Sequence, residues 1–162
     1  MAHRRWAVNA SPLILLGKAD RLGLLGALAD QIAVPRAVAD EVGAKPDGGA
    51  TLQAINAVAS FVVVENEAVP PEILVWDLGA GETQVIAHAL AHKTERVVID
   101  DLQARRCANA MGLGIIGTLG IVGRAKAAGL IDQAEPVVRR LRQTGLYISD
   151  ELVQRLLREV GE

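Results

Sequence analysis

Residues 97–106 read "VVIDDLQARR". Val97, Val98 and Ile99 form a short apolar run that suits a buried strand, and it runs straight into two adjacent carboxylates, Asp100 and Asp101. A helical pattern follows to about Met111. Like charges side by side repel. The pair therefore forms a solvated turn, or something positive is expected where the strand ends.

Working outward, the same strand-then-helix grammar recurs. "RWAVN" (5–9) reads as a first strand. The apolar stretch after it starts at Pro12, a favoured first helical position. Asp20 is expected to cap a second helix, "RLGLLGALA". "QIAV" is a brief strand, and Pro35 starts a helix through Gly43. The cluster "KPDGG" opens another helix at about 50–59, and "FVVVEN", rich in β-branched residues, is a strand. A Pro-Pro loop follows, and Gly79 and Gly81 lead into a helix through about His92. "LGII" and a helix from Thr118 close the alternation. From Gln133 onward only helices are apparent. The last carries Leu152, Val153, Leu156, Leu157 and Val160 at helical spacing, so it has one face to bury. Alternating strands and helices predict an α/β domain with a mainly parallel central sheet. One domain, residues 1–162, is expected, with about 133–162 as a helical extension packed on it.

Composition sets limits. Apolar residues make up 51% of the 162 residues and aromatics 2%, so the core must be aliphatic. Four aromatic side chains make a base-stacking platform improbable, and a net charge of −2 leaves only a local patch to bind nucleic acid. The single cysteine, Cys107, excludes an intramolecular disulfide and reads as a small buried hydrophobe. The first segment faintly imitates a signal peptide. Asn9, Ser11 and Pro12 interrupt it, and no apolar run is long enough to span a bilayer, so a cytoplasmic protein without a membrane role is expected.

Ligands of open parallel sheets sit outside the carboxyl ends of the strands. Asn9 ends the first strand, and Asp100 and Asp101 end the later one. Glu82 falls within the stripe of Val85, Ile86, Ala89 and Leu90, where an acid is costly unless paired or metal-bound. Its ordinary reading is a first-turn glutamate complementing the helix dipole. Glu41 lies on the apolar side of its helix, while Asp40 turns to solvent. Clustered carboxylates raise their pKa values or hold a cation. Oxygen-only donors suit Mg²⁺ or Mn²⁺, which can activate water for attack on a phosphoryl group.

"NASPLI", "IAVPRAVADEV", "LGAGETQVIAHALA" and "VVIDDLQARRCANAMGLGIIGT", in that order, resemble the PIN (PilT N-terminus) domain. The closer likeness is to its less characterised branch of predicted nucleic-acid-binding proteins, related to toxin ribonucleases of toxin–antitoxin pairs. The resemblance covers nearly the whole chain, including the C-terminal "GLYISDELVQRLLREVGE". It implies a three-layer α/β/α sandwich and a metal-dependent ribonuclease acting on RNA. A pocket of Asn9, Glu41, Glu82 and Asp101 is implied, with Asp100 as neighbour or alternate ligand, Ser11 lining it and Thr118 nearby. It also implies a small antitoxin as partner and pairing of the domain with itself. One departure stands out: Asn9 replaces the family's first acid. An amide oxygen still ligates a hard ion, but with less charge, so a catalytically weak or silent binding module is the rival reading. A phosphotransfer protein with an aspartyl nucleophile is a third, disfavoured because Asn9 stands where that acid belongs.

Other motifs are weaker. "GLGIIG" (112–117) fits a dinucleotide fingerprint, but a helix rather than a strand precedes it, so no nucleotide cofactor is expected. His88 and His92 have the spacing of a zinc pair. They lie off the apolar stripe with no cysteine or third histidine near, which predicts a solvated face. Arg105 and Arg106 follow the acidic pair by one turn and suit substrate phosphates or ordinary surface pairing equally. Arg139, Arg140 and Arg142 form the densest basic patch.

Overall fold

Side chains of Trp6, Ala7 and Val8 point alternately to opposite faces of the first strand, yet all three are buried. A strand buried on both faces needs helices on both sides of its sheet. The computed structural model has that architecture and describes residues 3–162; the first two positions of the expected domain lie outside the described residues.

The elements are β1 (Arg5–Val8), α1 (Ala10–Lys18), α2 (Gly23–Leu28), β2 (Gln31–Pro35), α3 (Arg36–Gly43), α4 (Gly48–Asn56), β3 (Phe61–Val64), α5 (Pro71–Leu74), α6 (Ala80–His92), β4 (Arg96–Val98), α7 (Leu102–Ala110), β5 (Gly114–Ile116), α8 (Thr118–Ala127), α9 (Ala134–Gln143) and α10 (Asp150–Glu159). The described residues form a five-stranded sheet in the order β3-β2-β1-β4-β5, and every pairing is parallel. The fold is the α/β, PIN-like sandwich, and the sheet is wholly rather than mainly parallel.

Helix α6 packs on β1, β2 and β4 and against α3, while α8 packs against α1 and α2. The core is aliphatic: Leu13, Leu16, Leu25, Ile32, Ile86, Ile99 and Ile121 are fully buried around Trp6. Each such side chain contributes roughly 1.5–3 kcal/mol. Cys107 is also fully buried in this core.

Chain order reverses at β1, whose neighbours are β2 on one side and β4 on the other. In open sheets that reversal splays the following segments apart and leaves a crevice at the carboxyl edge. The backbone N–H of Asn9 donates to the Val98 carbonyl at 3.0 Å, holding the ends of β1 and β4 together there.

Several boundaries differ from expectation. Helix α1 begins at Ala10 rather than Pro12, because extended Asn9 serves as its N-cap. Pro12 then sits in the first turn, where a missing N–H costs nothing. Asp20 does not cap α2; it occupies a left-handed turn at φ 57°, and the helix starts three residues later. The Pro-Pro loop contains the short helix α5, with Pro71 at its start. Gly112 terminates α7 with φ 76°, as its sequence position implies.

The C-terminal helices pack on the domain through Val137, Val138, Leu141, Val153, Leu156 and Leu157. Leu152, expected on that buried face, is largely exposed. Helix α9 lacks a side-chain cap from its own N-cap residue. Glu162 replaces it, accepting from the N–H groups of Ala134 at 2.6 Å and Glu135 at 3.2 Å.

Candidate metal centre at the carboxyl edge

Three segments far apart in sequence meet beyond the end of β1. Asn9 is 2% exposed, and as N-cap of α1 it makes no cap bond with its side chain. Its amide turns instead toward α6, where Nδ2 donates to Oε1 of Glu82 at 3.3 Å. That bond fixes which way the amide points, since the reverse orientation would set oxygen against oxygen. Oδ1 is consequently buried with no hydrogen-bond partner. A buried acceptor left unpaired costs about 1–3 kcal/mol.

Glu82 occupies the first turn of α6, half-buried. It faces the cluster rather than merely complementing a helix dipole. Glu41 arrives from α3, which packs on α6. Gly81 makes the approach possible. A Cβ there would lie 3.0 Å from Asn9 Oδ1 and 3.1 Å from Glu41 Oε2, so both oxygens converge on the space a side chain would take. Asn9, Ser11, Glu41 and Glu82 line one open cavity of about 280 Å³, together with Lys45, Thr144 and Gly145.

The question raised by the paired acids has a physical answer. Asp101 is the N-cap of α7, with Oδ2 accepting from the Ala104 N–H at 2.9 Å. Asp100 closes the start of α8: Oδ1 accepts from the Thr118 N–H at 2.7 Å, and Oδ2 from its hydroxyl at 2.6 Å. The positive groups they meet are two helix N-termini, which favour carboxylates and need acceptors. Among the described residues, the wall of the cavity includes neither acid. Asp101 is exposed and Asp100 half-buried at the same sheet edge.

This arrangement can hold a hard cation. Its donors are all oxygen, namely two carboxylates and an amide oxygen that has no protein partner. The family model of the PIN domain matches residues 5–162. The chain belongs to the PIN-domain family. No curated protein matches it. Membership supports a nuclease-type, nucleic-acid-related activity and use of a divalent metal.

In this PIN domain the remaining expected site residues divide. Ser11 is exposed on the cavity wall. Thr118 is fully buried and engaged with Asp100. Arg105 is half-buried and donates to the Ile99 carbonyl at 3.1 Å, bracing the end of β4, whereas Arg106 is exposed. The basic patch of α9 is largely paired: Arg139 with Glu135, and Arg142 with Asp150 and the Ile148 carbonyl.

Lys45 is a wall residue that sequence reasoning missed. It lies two residues beyond the end of α3, where helical spacing from Glu41 gives no signal. Thr144 and Gly145, at the end of α9, carry none either, because their approach depends on how the C-terminal helices dock. The expected solvated face holds for His92, which is exposed, and fails for His88. His88 is only 8% exposed, because α6 is enclosed by strands on one side and by α3 and α7 on others. Among the described residues, no helix is long and apolar enough to cross a membrane.

Proposed function

We propose that this PIN domain is a Mg²⁺- or Mn²⁺-dependent endoribonuclease and the toxin of a toxin–antitoxin pair, working in the cytoplasm. The observation that carries the reading is the convergence of Glu41, Glu82 and the unpartnered Asn9 Oδ1 on one open cavity at the switch point of the sheet. Those three would hold the cation, with the free oxygen of Asp101 and, as alternate, Asp100 completing its shell from the same edge. A divalent ion there supplies charge to a phosphodiester oxygen and lowers the pKa of a bound water.

The chain's own groups have separable tasks. The carboxylates set the negative charge that retains the cation, and Asn9 orients Glu82 through its amide. Lys45 brings a positive charge to the rim, suited to a substrate phosphate. Ser11 offers a hydroxyl at the same wall, and Arg105 and Arg106 extend the phosphate contact along α7. RNA is the substrate, and a small antitoxin covering the cavity and self-pairing of the domain are its protein contacts.

Purified protein is expected to cut RNA in Mn²⁺ and to stop in EDTA. Glu82→Gln should lower cleavage about 100-fold, equivalent to about 3 kcal/mol of lost transition-state stabilisation. Unchanged cleavage in that variant would remove the reading.

A second reading has its own support in Asn9, which adds no charge and occupies one oxygen of Glu82. On this reading the domain binds nucleic acid or a protein without cutting it. Calorimetry separates the two, because the silent module binds Mn²⁺ feebly.

A further inference from the structure

The other end of α6 carries a different donor set. His88 and His92 stand one helical turn apart, with rings stacked at 4.3 Å between centroids and 27° between planes. Glu67, from the segment joining β3 to α5, brings its carboxylate to the same place, where Oε1 lies 2.5 Å from His92 Nε2. One ligating atom from each of Glu67, His88 and His92 falls within 4.8 Å of the others. Tetrahedral ligands at about 2.0–2.2 Å from a zinc ion stand roughly 3.3–3.6 Å apart, so a bound ion would part the hydrogen-bonded Glu67–His92 pair slightly and draw in His88, already within 4.8 Å of both.

An ordinary Glu67–His92 ion pair explains part of this geometry and leaves the rest. His88 is more than nine-tenths buried, and its Nδ1 has no hydrogen-bond partner. Trp6, His88, His92 and Thr94 line a cavity of about 190 Å³, and the Trp6 indole N–H is also buried without a partner. Glu67 is held in place by its backbone. Gln84, one turn before His88 on the same helix stripe, accepts from the Glu67 N–H at 2.7 Å and donates to its carbonyl at 3.1 Å. Two-point clamping of a ligand residue is the kind of support that keeps metal sites assembled.

We propose that Glu67, His88 and His92 form a second metal site, of the two-histidine, one-carboxylate type, that takes Zn²⁺ or a similar late divalent transition ion. Imidazole nitrogens favour such ions over Mg²⁺, whereas the oxygen-only cavity has the opposite preference. Eight residues, about 12 Å along the helix, separate the middle of the histidine pair from Glu82, so the sites are distinct. The bound ion ties the β3–α5 connection to α6. This assignment is independent of the proposed nuclease activity.

Zn²⁺ titrated into the full chain, with a chromophoric chelator as competitor, tests it. One equivalent should bind, with excess Mg²⁺ unable to displace it. Glu67→Gln and His92→Gln, both partly exposed and safe for folding, should each weaken binding by more than 10-fold. Gln84→Ala should weaken it about 10-fold, the usual effect of removing a supporting contact. Glu82→Gln should leave it unchanged. Co²⁺ substituted for zinc should give the visible absorption of a nitrogen-ligated ion in the wild type and lose it in His92→Gln. Absence of stoichiometric Zn²⁺ binding would overturn the proposal. So would binding that survives His92→Gln but is lost in Glu82→Gln.

Discussion

The Asn9 amide donates to the Glu82 carboxylate at 3.3 Å, joining the end of the first strand to the first turn of α6. It is the neutral member of the set Asn9, Glu41 and Glu82, and replacing it with an acid separates charge from shape. Asn9→Asp should tighten Mn²⁺ binding and raise cleavage. Without metal it should destabilise the fold by about 1–3 kcal/mol, because a buried carboxylate then faces Glu82 with no donor between them. Thermal melts with and without Mn²⁺ check both halves, the metal-induced rise in Tm being larger for the variant.

Gly81 keeps the cluster open. A methyl group there meets Asn9 Oδ1 and Glu41 Oε2 at 3.0 and 3.1 Å, closer than either oxygen tolerates comfortably. Gly81 is the second residue of α6, where alanine gains less over glycine than the roughly 0.8–1.0 kcal/mol of a helix interior. With that small gain set against the contact with buried Asn9, Gly81→Ala should change Tm little while weakening Mn²⁺ binding. Calorimetry paired with a melt reads the two effects.

Asp100 and Thr118 form a closed pair, with both carboxylate oxygens used. Asp100→Ala removes the acceptors at the start of α8 and should cost about 1–2 kcal/mol, typical of a lost helix cap. Thr118→Val removes only the hydroxyl bond. Urea unfolding of both singles and the double should show non-additivity, since they share one interaction.

Glu162 links pH to stability. The N–H of Ala134 chiefly, with Glu135 and Lys126 assisting, holds its carboxyl below the ordinary value near 4.5. An acid with a lowered folded-state pKa contributes stability above its unfolded value and loses it as pH falls through the folded one. Wild type and Glu162→Ala should differ in Tm at pH 7 and converge below pH 4.5 as the carboxylate protonates.

Much of this structure is legible in the residues. β-branched runs such as "FVVV" gave strands, and the strand–helix alternation gave a parallel sheet, because local propensity and burial agree there. The inward direction of Glu82 followed from helical periodicity alone. Other features depend on distant contacts. Asp100 and Asp101 stand side by side in sequence, yet each meets the start of a different helix, and one of those helices begins at Thr118. His88 looked solvated because a single apolar stripe describes a helix with one packed side, and α6 has several. Glu67 could not be joined to the histidines without knowing that Gln84 draws its backbone onto α6.

Diffraction from crystals soaked in Mn²⁺, recorded for anomalous signal, is the measurement to make. A peak about 2.1 Å from oxygens of Glu41, Glu82 and Asn9 is the expected result. A map with no peak there, at a Mn²⁺ concentration that supports RNA cleavage, would contradict the assignment of these residues as the metal centre.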